Sequence, residues 1–226
     1  MEKRFGIFFD LDGTLIDNEH LKAVAFSKAI EQLGGKSHPS IYKEVMGMSG
    51  LSIRKHFASK ANIKVDLDEY FELFKSFYEA LLQTDLAIKT GAIQFLTELK
   101  SKGIELAVIS GAYSSSVNYI INAFNLSQYF NLIVSGDDIH KKKPDPECYL
   151  LALERLNLLK EQVIVFEDTE SGLRAAFYAG IKSLGIRHDY NLSHDFSSAF
   201  AEYSSYENDI GKIRKDINTI FNNDVL

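Results

Sequence analysis

Four short apolar runs recur along the chain, each rich in β-branched or aromatic residues and each ending in polar ones. Residues 5–9 end at Asp10, and 106–109 end at Ser110 and Gly111. Residues 132–134 lead into Ser135, Asp137 and Asp138, and 163–166 end at Glu167 and Asp168. A strand covered on both faces reads as such a continuous run rather than as an alternation. Stretches with helical spacing (91–102, 115–124, 146–156 and 172–179) separate or follow the later runs. The alternation predicts an α/β fold with a Rossmann-like open parallel sheet and right-handed crossovers.

The rhythm breaks after the first run. About 80 residues precede the next helix of the repeat, far too many for a loop inside a compact domain. The segment has helical patterns of its own: Leu21, Val24, Ala25, Ile30 and Leu33, then Tyr70, Leu73, Phe74, Phe77 and Leu81 behind a predicted cap at Asp68. Residues 16–88 are therefore expected to form an inserted α-helical cap subdomain over the strand ends. Residues 1–15 and 89–226 are expected to form the α/β core. After Gly185 the pattern fades; 201–206 reads as an edge strand and 210–221 as a closing helix.

Composition narrows the classes. The 226 residues are 46% hydrophobic and 25% charged, ordinary for a globular chain and against long-range disorder. A formal charge of −6 gives no general attraction to nucleic acid or anionic membrane. One cysteine, Cys148, excludes an intrachain disulfide framework and a cysteine-based zinc site. No apolar run reaches the ~18 residues of a membrane span, and 5–9 is too short for a signal peptide. A reduced, cytoplasmic setting and a monomer or weak dimer are expected.

In open α/β sheets, ligands bind beyond the carboxyl ends of the strands. That edge should collect Asp10, Asp12, Ser110, Asp137, Asp138, Glu167 and Asp168, with Lys143 nearby. Converging carboxylates repel unless a cation joins them, and an all-oxygen donor set suits Mg²⁺. Ser110 and Lys143 suit an anion. A hard cation, a phosphate-sized anion and neighbouring carboxylates together point to phosphoryl transfer.

Asp10, Leu11, Asp12, Gly13 and Thr14 resemble the DxDGT signature of the haloacid dehalogenase-like superfamily. Ser110 resembles its second motif and Lys143, Pro144, Asp145 and Pro146 its third. Glu167 and Asp168 with Ser171 and Gly172 resemble its fourth. The order matches, and the helical insert is similar to that of the phosphoglycolate phosphatase and beta-phosphoglucomutase subfamily. The resemblance implies that Asp10 is the nucleophile, forming an aspartyl-phosphate, and that Asp12 is the general acid and then base. Positions i and i+2 of an extended chain share a side, as that pairing needs. It further implies Mg²⁺ on the Asp10 carboxylate, the Asp12 backbone carbonyl and Asp168, with Glu167 as support or alternative ligand. Ser110 and Gly111 would hold a phosphoryl oxygen, and Lys143 would neutralise charge on the phosphoryl group and on Asp10. Gly13 permits a tight exit from the strand, and Gly13 and Thr14 are expected to turn backbone N–H groups toward phosphate.

Blander readings stand beside these. The two acids at 10 and 12 could cap a turn, Lys143 could be one of three loop lysines, and Glu167 and Asp168 could complement a helix dipole. Asp137 and Asp138 are open between turn chemistry and support of the site. Cys148 and the aromatic stripe at 70–82 read as core. The 47–54 turn with Arg54 is the candidate for substrate contact from the insert, whereas Lys55 and His56 read as surface. Glu19 and His20 fall at a junction. Thr90, Gly111 and Asn18 depart from frequent family choices without touching the expected catalytic set. The expected activity is Mg²⁺-dependent hydrolysis of a small phosphorylated metabolite. The alternatives are a beta-phosphoglucomutase-like mutase with the same residues and a non-catalytic binding module.

Overall fold

In the computed structural model, which describes residues 4–223 and 225–226, the chain divides into two compact units. One comprises Met1–Ile16, Ile88–His188 and His194–Leu226; the other comprises Asp17–Ala87 and Asp189–Ser193. The junctions lie one residue from those read in the sequence, and the short segment Asp189–Ser193 belongs with the helical unit.

The larger unit is built on a six-stranded sheet. Its strands are β1 (Gly6–Phe9), β2 (Glu105–Ile109), β3 (Leu132–Val134), β4 (Val163–Glu167), β5 (Lys182–Ile186) and β6 (Ala201–Tyr203). The order is β3-β2-β1-β4-β5-β6, parallel throughout. The chain winds outward from β1 to β3 and then returns to the other side of β1. The reversal point therefore lies between β1 and β4, where an open α/β sheet opens a crevice at its carboxyl edge. Successive side chains alternate between faces. Phe8 and Val165 pack with Cys148, Tyr149 and Ala152 of α6 (Glu147–Leu156) and with Ala175 and Ala176 of α7 (Glu170–Tyr178). Phe9 and Phe166 stack with ring centroids 5.0 Å apart, and Phe95 of α4 (Ala92–Ser101) meets both edge-on. Burial of both faces is why these strands are apolar without alternation. The unit also holds α5 (Ser114–Ala123) and a closing helix, α8 (Ile210–Phe221).

The smaller unit holds α1 (Glu19–Gln32), α2 (Gly50–Lys60) and α3 (Leu67–Asp85), with a 3₁₀ segment at Pro39–Glu44. Phe26 is its packing centre, stacked on Phe74 at 3.9 Å and on Phe57 at 5.6 Å. Two local expectations are corrected. The cap of α3 is Asp66, whose carboxylate accepts from the N–H groups of Asp68 and Glu69, so Asp68 lies within the first turn. The 47–54 turn ends at Ser49, which caps α2, and Arg54 is helical. Among the described residues, no helix is long and apolar enough to cross a membrane.

Candidate active site

Register brings the sequence-distant acids together. Phe9 pairs with Phe166 across β1 and β4, and the Asp10 N–H donates to Phe166 O at 2.9 Å. Asp10 therefore stands beside Glu167 and Asp168 at the reversal point. Phe9 also pairs with Val108, which sets Ser110 one step further along the neighbouring edge.

Lys143 joins this group from the loop after β3. Its ammonium donates to Asp10 Oδ1 at 2.6 Å, Glu167 Oε1 at 2.6 Å and Ile109 O at 3.0 Å. Three donors meet three acceptors, so the side chain is held in one orientation. Its neighbours do otherwise: Lys141 pairs with Asp145 at 3.7 Å, and Lys142 lies over the Tyr113 ring. The Lys143–Pro144 peptide is cis.

Glu167 is fully buried. Beyond Lys143, its Oε1 accepts from the Tyr149 hydroxyl at 3.2 Å. Its Oε2 accepts from the N–H groups of Asp168 and Thr169 and from the Thr169 hydroxyl. Such a saturated carboxylate is fitted to hold Lys143 and the start of α7. Gly172 makes room for it, because a Cβ there would fall on the Glu167 carboxylate.

Asp168 is equally buried. Its Oδ1 accepts from the Thr14 hydroxyl at 3.1 Å and its Oδ2 contacts His188 Nε2 at 2.9 Å. Gly13 has φ +79°, a left-handed conformation, and a Cβ there would collide with the same carboxylate. The Gly13 N–H donates to Ile16 O at 2.8 Å, closing the turn that carries half-buried Asp12. The expectation of a phosphate-facing N–H at Gly13 is corrected accordingly: the turn uses that donor, and the Thr14 side chain serves Asp168.

Ser110 is buried at the end of β2, and its hydroxyl accepts from the Ala112 N–H at 3.1 Å; Gly111 sits between them, with open space where a Cβ would stand. Asp137 and Asp138 belong to turns instead. Asp137 accepts from the Ser114 N–H at the start of α5, and Asp138 binds Ser135 and Arg155. Cys148 is core, its thiol pushed up to about 11 by burial.

The electrostatics follow from three neighbouring acids, two of them bonded to one ammonium. Burial raises the Asp10 carboxyl well above its usual range; Lys143 opposes this, while Glu167 and Asp168 add to it. Burial alone would lower Lys143, but Asp10 and Glu167 hold it protonated, well above the ordinary lysine value. The acid surplus is what a hard cation would neutralise.

Residues 7–186 match the family model for haloacid dehalogenase-like hydrolases. The chain belongs to this family. Among haloacid dehalogenase-like relatives, a phosphorylated carbohydrates phosphatase of Thermotoga maritima is 33% identical over 82% of this chain and 86% of its own length. A phosphoglycolate phosphatase of Aquifex aeolicus is 34% identical over 78% and 82%. The crystal structure of CbbY from Rhodobacter sphaeroides in complex with phosphate superposes with a TM-score of 0.78 at 27% identity, covering 91% of this chain and 96% of that one.

Sequence reasoning missed His188 and took Tyr149 only as core. Among the described residues, no three His, Cys, Asp or Glu side chains form a preformed metal cage. The Asp10 and Asp168 carboxylates are hard oxygen donors, and Mg²⁺ asks for only one or two carboxylates from a protein, so the donor chemistry fits that ion.

Proposed function

We propose that this hydrolase is a Mg²⁺-dependent phosphatase for a small phosphorylated metabolite, working through an aspartyl-phosphate at Asp10. The observation that carries this reading is the Lys143 ammonium bonded to both Asp10 and Glu167 at the sheet's reversal point. The names of its carbohydrate-phosphate and phosphoglycolate phosphatase relatives support the substrate class.

The chain's own residues would act as follows. Lys143 favours the ionised form of Asp10 against burial and offsets charge on the incoming phosphoryl group. An Asp10 oxygen attacks phosphorus while the bond to the leaving oxygen breaks, and Asp12 gives that oxygen its proton. Asp12 then takes a proton from water, whose oxygen attacks phosphorus. The bond to Asp10 breaks, inorganic phosphate leaves, and the carboxylate is restored. Ser110 and the Gly111 N–H bind phosphoryl oxygens. Glu167 holds Lys143 in place. Mg²⁺, held by Asp10, Asp168 and the Asp12 carbonyl, would supply charge neutralisation between two anions. With its single cysteine in the core, the protein suits a reducing, cytoplasmic setting.

The test is phosphate release from a panel of sugar phosphates, phosphoglycolate and nucleotides with Mg²⁺, comparing the natural protein with Asp10→Asn. Release by the natural protein alone is expected. Equal release by both would overturn the assignment. Conversion of glucose 1-phosphate to glucose 6-phosphate without phosphate release would instead mark a mutase.

A further inference from the structure

Beyond the four motifs, one side chain reaches the acid cluster from a strand end that no motif covers. His188 follows β5 by two residues, and its Nε2 lies 2.9 Å from Asp168 Oδ2. An ionised carboxylate can only accept, so the His188 Nε2–H is the donor. The Thr14 hydroxyl donates to the other oxygen at 3.1 Å. A carboxylate pinned through both oxygens is held against rotation about its terminal bond. His188 is mostly buried, at 11% side-chain exposure, and Asp168 is fully buried, so solvent does not compete well for the bond.

We propose that His188 is a positioning residue: it fixes the Asp168 carboxylate in the orientation that a divalent cation requires. The inference rests on the reading of Asp168 as a cation ligand. Thr14 shares the task, but it sits on the Asp12 turn. His188 comes from the adjacent strand end, so it can be altered without changing that turn's own residues. Outer partners of ligating carboxylates typically carry about 10–100-fold of metal affinity.

The experiment titrates metal-stripped protein with Mn²⁺, an oxygen-seeking stand-in for Mg²⁺, and counts free Mn²⁺ by electron paramagnetic resonance. The variants are His188→Gln, which retains an N–H donor, and His188→Met, nearly the same shape without one. His188→Leu is a second donor-free side chain, and Asp168→Asn is the ligand control. Melting in chelator reports folding separately. The expected result is that His188→Met and His188→Leu weaken Mn²⁺ binding about 10–100-fold, while His188→Gln stays within about threefold of the natural protein. The KM for a phosphate ester at saturating Mg²⁺ should not move. Binding by His188→Met at natural affinity, with Asp168→Asn unable to bind, would overturn the role of His188 and leave the cation reading intact. Equal losses in folded Gln and Met variants would also overturn it. Equal Mn²⁺ binding by the natural protein and Asp168→Asn would remove the cation reading itself, and the proposal with it.

Discussion

Lys143 Nζ lies 2.6 Å from Asp10 Oδ1, across 133 positions of sequence. The contact is nearly dry, with both side chains at about one-tenth exposure. Removing one partner of a buried pair leaves an uncompensated charge. Lys143→Met should therefore cost about 3–5 kcal/mol of stability in urea unfolding. The Lys143→Met/Asp10→Asn double variant should recover part of that loss, because one orphaned carboxylate is gone. Among molecules that remain folded, Lys143→Met should lower kcat/KM by about 10²–10³. Additive changes in the cycle would mean that the two groups do not interact.

Asp10 itself should be a stability liability when the cation is stripped away. Its folded-state pKa is raised above the ordinary 3.8, chiefly by burial. A raised carboxyl contributes stability below its unfolded value, and that contribution is lost as pH rises through the folded value. Asp10→Asn removes the titration, and Lys143 keeps Glu167 as a partner. In chelator, the stability of the natural protein relative to Asp10→Asn should fall as pH is raised from about 4. Asp10→Asn should be the more stable of the two at pH 7 while having no phosphatase activity. Urea midpoints measured across pH 4–8 check the sign; a gap that widens in favour of the natural protein would contradict it.

Glycines separate packing from propensity. Gly172 lies in α7, where alanine would ordinarily gain about 1 kcal/mol. Its missing Cβ is the space occupied by the Glu167 carboxylate, which its hydrogen bonds hold in place. Overpacking costs about 1–3 kcal/mol, so Gly172→Ala should destabilise the protein and displace Glu167 from Lys143, with activity falling as well. Gly211, in α8, has nothing near its would-be Cβ, and Gly211→Ala should stabilise by about 0.5–1 kcal/mol. Thermal melts of the two variants should shift in opposite directions.

The strands at the centre of the sheet were legible because both their faces are buried, which leaves an unbroken apolar run. Strand β5 was not. Lys182, Ser183 and Gly185 dilute its run, and Gly185 is needed because the Phe196 ring takes the place of a side chain there. His188 was hidden for the same reason, since it follows a strand that the pattern does not reveal. Helix α2 carries Arg54, Lys55 and His56 across its middle, and without a clear stripe it read as a turn. The acids were visible because polar residues ending an apolar strand are conspicuous. Their tethers were less so: Tyr149 is a core residue by burial, tied to the site by its hydroxyl, 3.2 Å from Glu167, and by its ring beneath the Lys143 ammonium.

The most direct measurement is to find where the phosphoryl group rests during turnover. With p-nitrophenyl phosphate, the leaving group departs without needing a proton, so Asp12→Asn should form the phosphoenzyme and then hydrolyse it slowly. Acid quenching and peptide mass spectrometry should find one phosphoryl group on the peptide containing Asp10, and none in Asp10→Asn/Asp12→Asn. A phosphoryl group on another residue, or the same yield from the double variant, would contradict nucleophilic attack by Asp10.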